Sequence, residues 1–220
     1  MRSIYDEQLS TLRESLSTMS ALCEGAIAKA AKALQNNDLA LADEVHGVTE
    51  KIDRLERDVQ SLCLKLLLLQ QPVATDLRAV SAALKMVTDL ERIGNQSADI
   101  AEIVQTGALP DNAPKQALHD MALSVIKMVN GSVEAFLNND TKQARKVIDY
   151  DNVVDRHFDG MKQLLIETIR TDRSMGPCAI DLLMIAKYLE RIGDHAVNIA
   201  KWVIFVETGE IADVRCKLKL

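Results

Sequence analysis

Four acidic side chains define the chemistry this chain can do. Glu190 and Asp194 stand four residues apart in LERIGDHAVNIA, Leu189 to Ala200, and Asp151 and Asp155 stand four apart earlier in the chain. On a helix each pair shares a face, where like charges repel by roughly 0.2–0.5 kcal/mol unless a cation joins them. A near-copy of the first stretch, LERIGNQSADIA, runs from Leu90 to Ala101, 99 residues upstream. Such self-similarity marks a duplicated unit. In the copy, Glu91 is kept but Asn95 replaces the aspartate, and Thr49 and Asp53 stand where the later half has Asp151 and Asp155.

If each half folds its second and third helices as an antiparallel hairpin, Asp151 lies level with Asp194 and Asp155 with Glu190, about a turn between Asp172 and Arg173. The same construction sets Thr49 against Asn95 and Asp53 against Glu91 about Pro72. Four carboxylates at one height do not tolerate one another unneutralised. The ligands on offer are oxygens, which suit iron, manganese, magnesium or calcium in a multi-carboxylate setting better than zinc or copper. His195 and His157 are close enough in sequence to add nitrogen. The first half keeps Asp53 and Glu91, helped by Glu50 or Asp99, and its site is expected to be weaker or empty. Two plainer readings compete: solvated helix faces, and neutralisation by Arg92 and Arg191, which adjoin the glutamates. Gly94 and Gly193 each cost about 1 kcal/mol inside a helix, and a close helix approach is the expected return.

The elements that must position these residues are helices. Leu9, Leu12, Leu16, Met19, Cys23, Ala26, Ala30 and Ala33 recur at alternating intervals of four and three, a seam about 30 residues long. Asn36, Asn37 and Asp38 break it, with Asp38 placed to cap a second helix that runs to about Gln70. Pro72 ends that helix, and Thr75 or Asp76 can cap a third that reaches about Thr106. The stretch from Gly107 to Pro114, GALPDNAP, is the turn-rich junction. Leu118, Met121, Val125, Met128, Ser132 and Ala135 then follow Leu16 to Ala33 at a spacing of 102, and Asn138, Asn139 and Asp140 repeat the earlier turn. The spacing falls to 99 by the second LERIG motif, so three residues are lost near the turn marked by Ser174, Gly176 and Pro177. The expected fold is all-α: two tandem antiparallel three-helix bundles, residues 1–107 and 115–208, followed by a loosely held tail, 209–220.

Lys and Arg number 26 against 32 Asp and Glu, a net charge of −6, with no basic block, which argues against nucleic acid. The start, MRSIYDEQLS, has no signal-peptide pattern, and apolar runs such as Trp202 to Val206 are too short for a bilayer, so a cytoplasmic protein is expected. Cys23, Cys63, Cys178 and Cys216 have no CxxC spacing and read as small apolar side chains.

Together the two LERIG(D/N) motifs with their downstream NIA and DIA, Pro72-Val-Ala-Thr-Asp76-Leu-Arg78 and the NND turns resemble the PhoU family of bacterial phosphate-signalling regulators, over nearly the whole chain. The resemblance implies paired three-helix bundles whose E(D)xxxD motifs hold multinuclear metal clusters, here Asp151, Asp155, Glu190 and Asp194, and Asp53 and Glu91 in the first half. Thr49 and Asn95 depart from that pattern. It further implies a negative regulator of phosphate uptake and of the phosphate-starvation response. Such a regulator couples the phosphate ABC transporter, through its ATPase subunit, to a sensor histidine kinase, acts as a homodimer and touches the membrane only peripherally. No catalysis is expected, since no Gly-rich phosphate loop or GxSxG occurs and no Glu has His three residues later. A carboxylate-bridged metal hydrolase and a purely structural helical dimer are the alternatives.

Overall fold

The computed structural model describes residues 2–107 and 109–210. Six helices account for nearly all of it: α1 (Arg2–Asn36), α2 (Leu39–Gln70), α3 (Ala74–Thr106), α4 (Gln116–Asn138), α5 (Thr141–Thr171) and α6 (Gly176–Thr208). The α1 seam from Leu12 to Ala33 is buried throughout, and so are its counterparts from Leu118 to Ala135 on α4. Burial of these stripes, worth about 25 cal/mol per Å² of apolar surface, drives the assembly.

Each NND turn does two jobs with three residues. Asn37 and Asn139 adopt left-handed backbone, with φ of 52° and 53°, which asparagine tolerates better than most residues. The following aspartate donates its amide back to the ending helix, Asp38 to the Ala33 carbonyl and Asp140 to that of Ala135. Its side chain caps the next helix: Asp38 accepts from the Leu41 amide and Asp140 from those of Lys142 and Gln143. The second turns differ between the halves, 71–73 in the first and 172–175 in the second. After α5, Asp172 accepts from the amide and hydroxyl of Ser174, a short 3₁₀ turn (Arg173–Met175) follows, and Pro177 sits in the first turn of α6. After α2, neither Thr75 nor Asp76 is the cap. Val73 occupies that position without a side-chain bond, Asp76 sits in the first turn, and the Thr75 hydroxyl accepts from Arg78.

α1, α2 and α3 form one bundle and α4, α5 and α6 the other, with α1 packed on α4 and α3 on α6. The halves run antiparallel. Ser20 meets Asn130 while Gln35 meets Gln116, and Arg78 meets Val206 while Asp89 meets His195. One continuous apolar core threads both bundles, with α2 and α5 as its outer walls. The junction is pinned rather than loose: buried Lys115 donates to Asn37, whose amide bonds Asp111. Cys23, Cys63 and Cys178 are buried free thiols, that of Cys63 pushed up to about 12 by burial. Gly209 closes α6 with its amide on Phe205. Residues 211–220 of the expected tail, Cys216 included, lie outside the described residues.

Candidate metal centre

The second-half carboxylates share one electrostatic environment. The Asp151 carboxyl is pushed up to about 6, by burial first and then by the charges of Asp155, Asp194 and Glu190, with Lys201 opposing. Asp194 is also held above the ordinary range, by burial, Glu190 and Asp155 against Lys187 and His195. Four acidic groups that feel one another across α5 and α6 are what the hairpin construction requires. Gly193 serves the same meeting: a Cβ built there would stand 3.5 Å from Asp151 Oδ1 and from Val154.

The neutralising cation is not the arginine the sequence suggests. Lys187, one turn before Glu190, forms an ion pair with it, part-buried and over the Phe158 ring. Arg191 instead lowers the carboxyl of Asp99, which burial and Glu102 raise. Asp99 therefore belongs to the α3–α6 contact and not to the first-half pair. The histidines also serve elsewhere. His195 Nδ1 lies 2.8 Å from Asp89 on α3, and His157 Nε2 lies 3.4 Å from the Ser124 hydroxyl. Among the described residues no three His, Cys, Asp or Glu side chains surround a common point as they stand. Donor type and uncompensated charge fit a hard cation, and ligation requires the carboxylates to turn toward it.

In the first half the two departures are each satisfied locally. Thr49 is buried and donates its hydroxyl to the His46 carbonyl, and Asn95 donates to Glu91 at 2.6 Å. Glu50 is exposed, and its backbone carbonyl accepts from Arg54. The residue that pattern reading missed is Glu56, one turn beyond Asp53, whose carboxyl is raised by burial, by Glu91 and by Asp53. Its second-half counterpart is Phe158, so the duplication hides it. Asp53 Oδ1 is buried with no hydrogen-bond partner, a costly state for a carboxylate oxygen and one that a cation relieves. Gly94 is tight here, a Cβ falling 3.0 Å from Ile52 Cδ1.

The PhoU domain model matches this chain twice, over residues 16–104 and 118–203. The chain belongs to the PhoU family. A phosphate-specific transport system accessory protein PhoU homolog from a Burkholderia species is 32% identical over 98% of this chain and 92% of its own length. PhoU homolog 2 of Mycobacterium tuberculosis is 34% identical over 95% and 99%. The PhoU crystal structure from Pseudomonas aeruginosa superposes with a TM-score of 0.87 at 30% identity, covering 94% of this chain and all of that one. A phosphate transport system regulatory protein PhoU from Streptococcus pneumoniae gives 0.88 at 26%, with 96% and 100% covered. These agree with the all-α double bundle and with the whole-chain resemblance carried by the LERIG motifs.

Proposed function

We propose that this PhoU-family protein is an accessory protein of phosphate-specific transport. In this reading it is a cytoplasmic homodimeric adaptor that restrains phosphate uptake and the starvation response by contacting the transporter's ATPase subunit and a sensor histidine kinase. The observation that carries the reading is the two-domain family match along the whole chain, shared with relatives named as accessory proteins of that system. One feature supports an adaptor that docks: large apolar side chains stand exposed around the α2–α3 turn, Leu64, Leu68, Leu69, Val73 and Leu77, a patch of the kind that marks a protein contact. Among the described helices none is long and apolar enough to cross a membrane.

Asp151, Asp155, Glu190 and Asp194 would hold the metal, iron, manganese or magnesium in preference to zinc, with Asp53, Glu56 and Glu91 as the first-half counterpart. A bound cation would supply the positive charge that the cluster lacks and present it at the α5–α6 surface. Glu190, now paired with Lys187, would exchange that partner for a bound cation.

Elemental analysis of protein purified without a metal-affinity tag tests the metal reading. The natural chain, Asp151→Ala/Asp155→Ala and Asp53→Ala are compared. Metal that vanishes only in the double variant supports a second-half centre, and none in any of the three, even after incubation with the three metals, refutes it. The regulatory reading is tested in cells: Glu190→Ala that still folds is expected to relieve repression. Unchanged repression removes the cluster from the regulatory role, and phosphoester turnover dependent on Asp151 would replace the adaptor with a hydrolase.

A further inference from the structure

Between α3 and α6 lies a cavity of about 300 Å³ lined by Lys85, Thr88, Asp89, Arg92, Asn198, Lys201 and Trp202. We propose that this cavity binds a phosphate group, either as the free anion or as the phosphate of a small organic molecule. Three cations line it from two helices, two ammonium groups and a guanidinium, while the Thr88 hydroxyl donates to the Leu84 carbonyl and the Asn198 amide to Asp89. Among the described residues none of the three cations is in ion-pair contact with a carboxylate. Lys201 also feels Asp151 across α6, which leaves Lys85 and Arg92 as the principal anchors. Multiple charge-assisted bonds of this kind are how phosphate oxygens are held.

The duplication supplies an internal control. In the second copy the counterparts of Lys85, Thr88, Asp89 and Arg92 are Met184, Lys187, Tyr188 and Arg191, and the first-copy counterparts of Asn198, Lys201 and Trp202 are Asp99, Glu102 and Ile103. One crossing of the same two helices thus sets two acids against two bases and the other sets three cations against one acid, so the cationic lining is not a by-product of the helix packing. A second cavity of about 270 Å³, beside Lys127 and Lys146, is a poorer candidate because Lys127 is already seated 4.4 Å from the Tyr150 ring centroid.

Asp89 makes the site more selective than a cationic patch. It is only 7% exposed, and Oδ1 accepts from His195 Nδ1 at 2.8 Å and from the Asn198 amide at 3.5 Å. Oδ2 takes neither bond and is available to a ligand in the cavity. A carboxylate among cations distinguishes phosphate, which carries a proton near neutral pH, from sulfate, which carries none. Trp202, the one tryptophan in the chain, adds a flat apolar wall, which accommodates an organic group attached to phosphate.

The site is tested on chelator-treated full-length protein, so that its outcome is independent of the carboxylate centre. Trp202 fluorescence and calorimetry follow titration with inorganic phosphate, sulfate and a nucleoside monophosphate. Saturable binding by phosphate or by the nucleotide is expected, weakened at least about tenfold in Lys85→Ala/Arg92→Ala and unchanged in Lys127→Ala. Whichever of the two phosphate probes binds tighter identifies the source. Asp89→Asn is expected to retain anion binding while losing the preference for phosphate over sulfate, and a preference that persists removes Asp89 from the recognition. The proposal is overturned if neither phosphate probe saturates at millimolar concentration, or if the double variant, helical by circular dichroism, binds as the natural chain does.

Discussion

Asp151 is the residue on which the charge argument turns, because its carboxyl is raised from 3.8 to about 6. The folded chain therefore holds more protons than the unfolded one between those values, and stability falls as pH rises through that window. In chelator-treated protein, Asp151→Asn is expected to raise the unfolding free energy at pH 7.5 by about 1 kcal/mol after allowance for solvent screening, and by clearly less at pH 5. Urea denaturation at the two pH values decides it, and an equal gain at both would mean the charge is not the cause. The two motif glycines make a second pair of predictions. A Cβ at Gly193 meets Asp151 and Val154 at ordinary contact distance, so Gly193→Ala should recover up to about 1 kcal/mol of helix propensity. At Gly94 the Cβ would press on Ile52 Cδ1, so Gly94→Ala should gain little or lose stability in the same assay. At this scale the spacing of Asp151, Asp155, Glu190 and Asp194 was readable because two helical periodicities about one turn determine their height. Lys187, Glu56 and the Asp89–His195 pair were not: the first two answer to no motif, and the third depends on how two bundles meet.

Helix ends carry the next level of information. Asp38 and Asp140 each combine a bond to the preceding helix with a cap on the next, so Asp38→Ala and Asp140→Ala should each cost about 1 kcal/mol. Thr75→Ala should stay within about 0.5 kcal/mol, because Thr75 serves Arg78 and caps nothing. Thermal unfolding of the three variants separates the cases, and a Thr75→Ala loss equal to that of Asp38→Ala would restore Thr75 as a cap. The NND turns were legible because asparagine at left-handed φ and aspartate at an N-cap each follow from local chemistry. The α2–α3 turn was misread for the converse reason. Its Gln71 and Ala74 both adopt positive φ, at 46° and 49°, conformations that neither residue type advertises and that the surrounding helices impose. The three residues lost from the second half do not shorten its turn, which runs over 172–175 against 71–73; Leu189 of the second LERIG motif lies 13 residues after Gly176 where Leu90 lies 16 after Ala74, so the loss falls in the first part of α6.

Across the whole molecule, duplication and cooperativity pull in different directions. Two repeats suggest two independent bundles, but α1 and α3 each bury a face against the other half, and one apolar core crosses both contacts. The buried tie from Lys115 to Asn37 and the bond from Arg78 Nε to the Val206 carbonyl fasten the halves further. Separating them would expose the α1 and α3 faces, and at about 25 cal/mol per Å² a few hundred Å² of apolar surface is comparable to the whole stability of a 100-residue bundle. The full chain is therefore expected to unfold in a single transition, with calorimetric and van't Hoff enthalpies in agreement. Residues 1–107 alone should be partly unfolded or self-associating rather than a monomeric bundle. Two resolved transitions, or a monomeric and cooperatively melting first half, would show that the repeats are separate domains. Metal adds a second handle on the same experiment. An ion that binds only the folded carboxylate cluster stabilises by about 2.7 kcal/mol at a hundred times its dissociation constant. In a fused core that gain must raise the melting of all six helices together, whereas in separable bundles it would raise only the transition that contains α5 and α6.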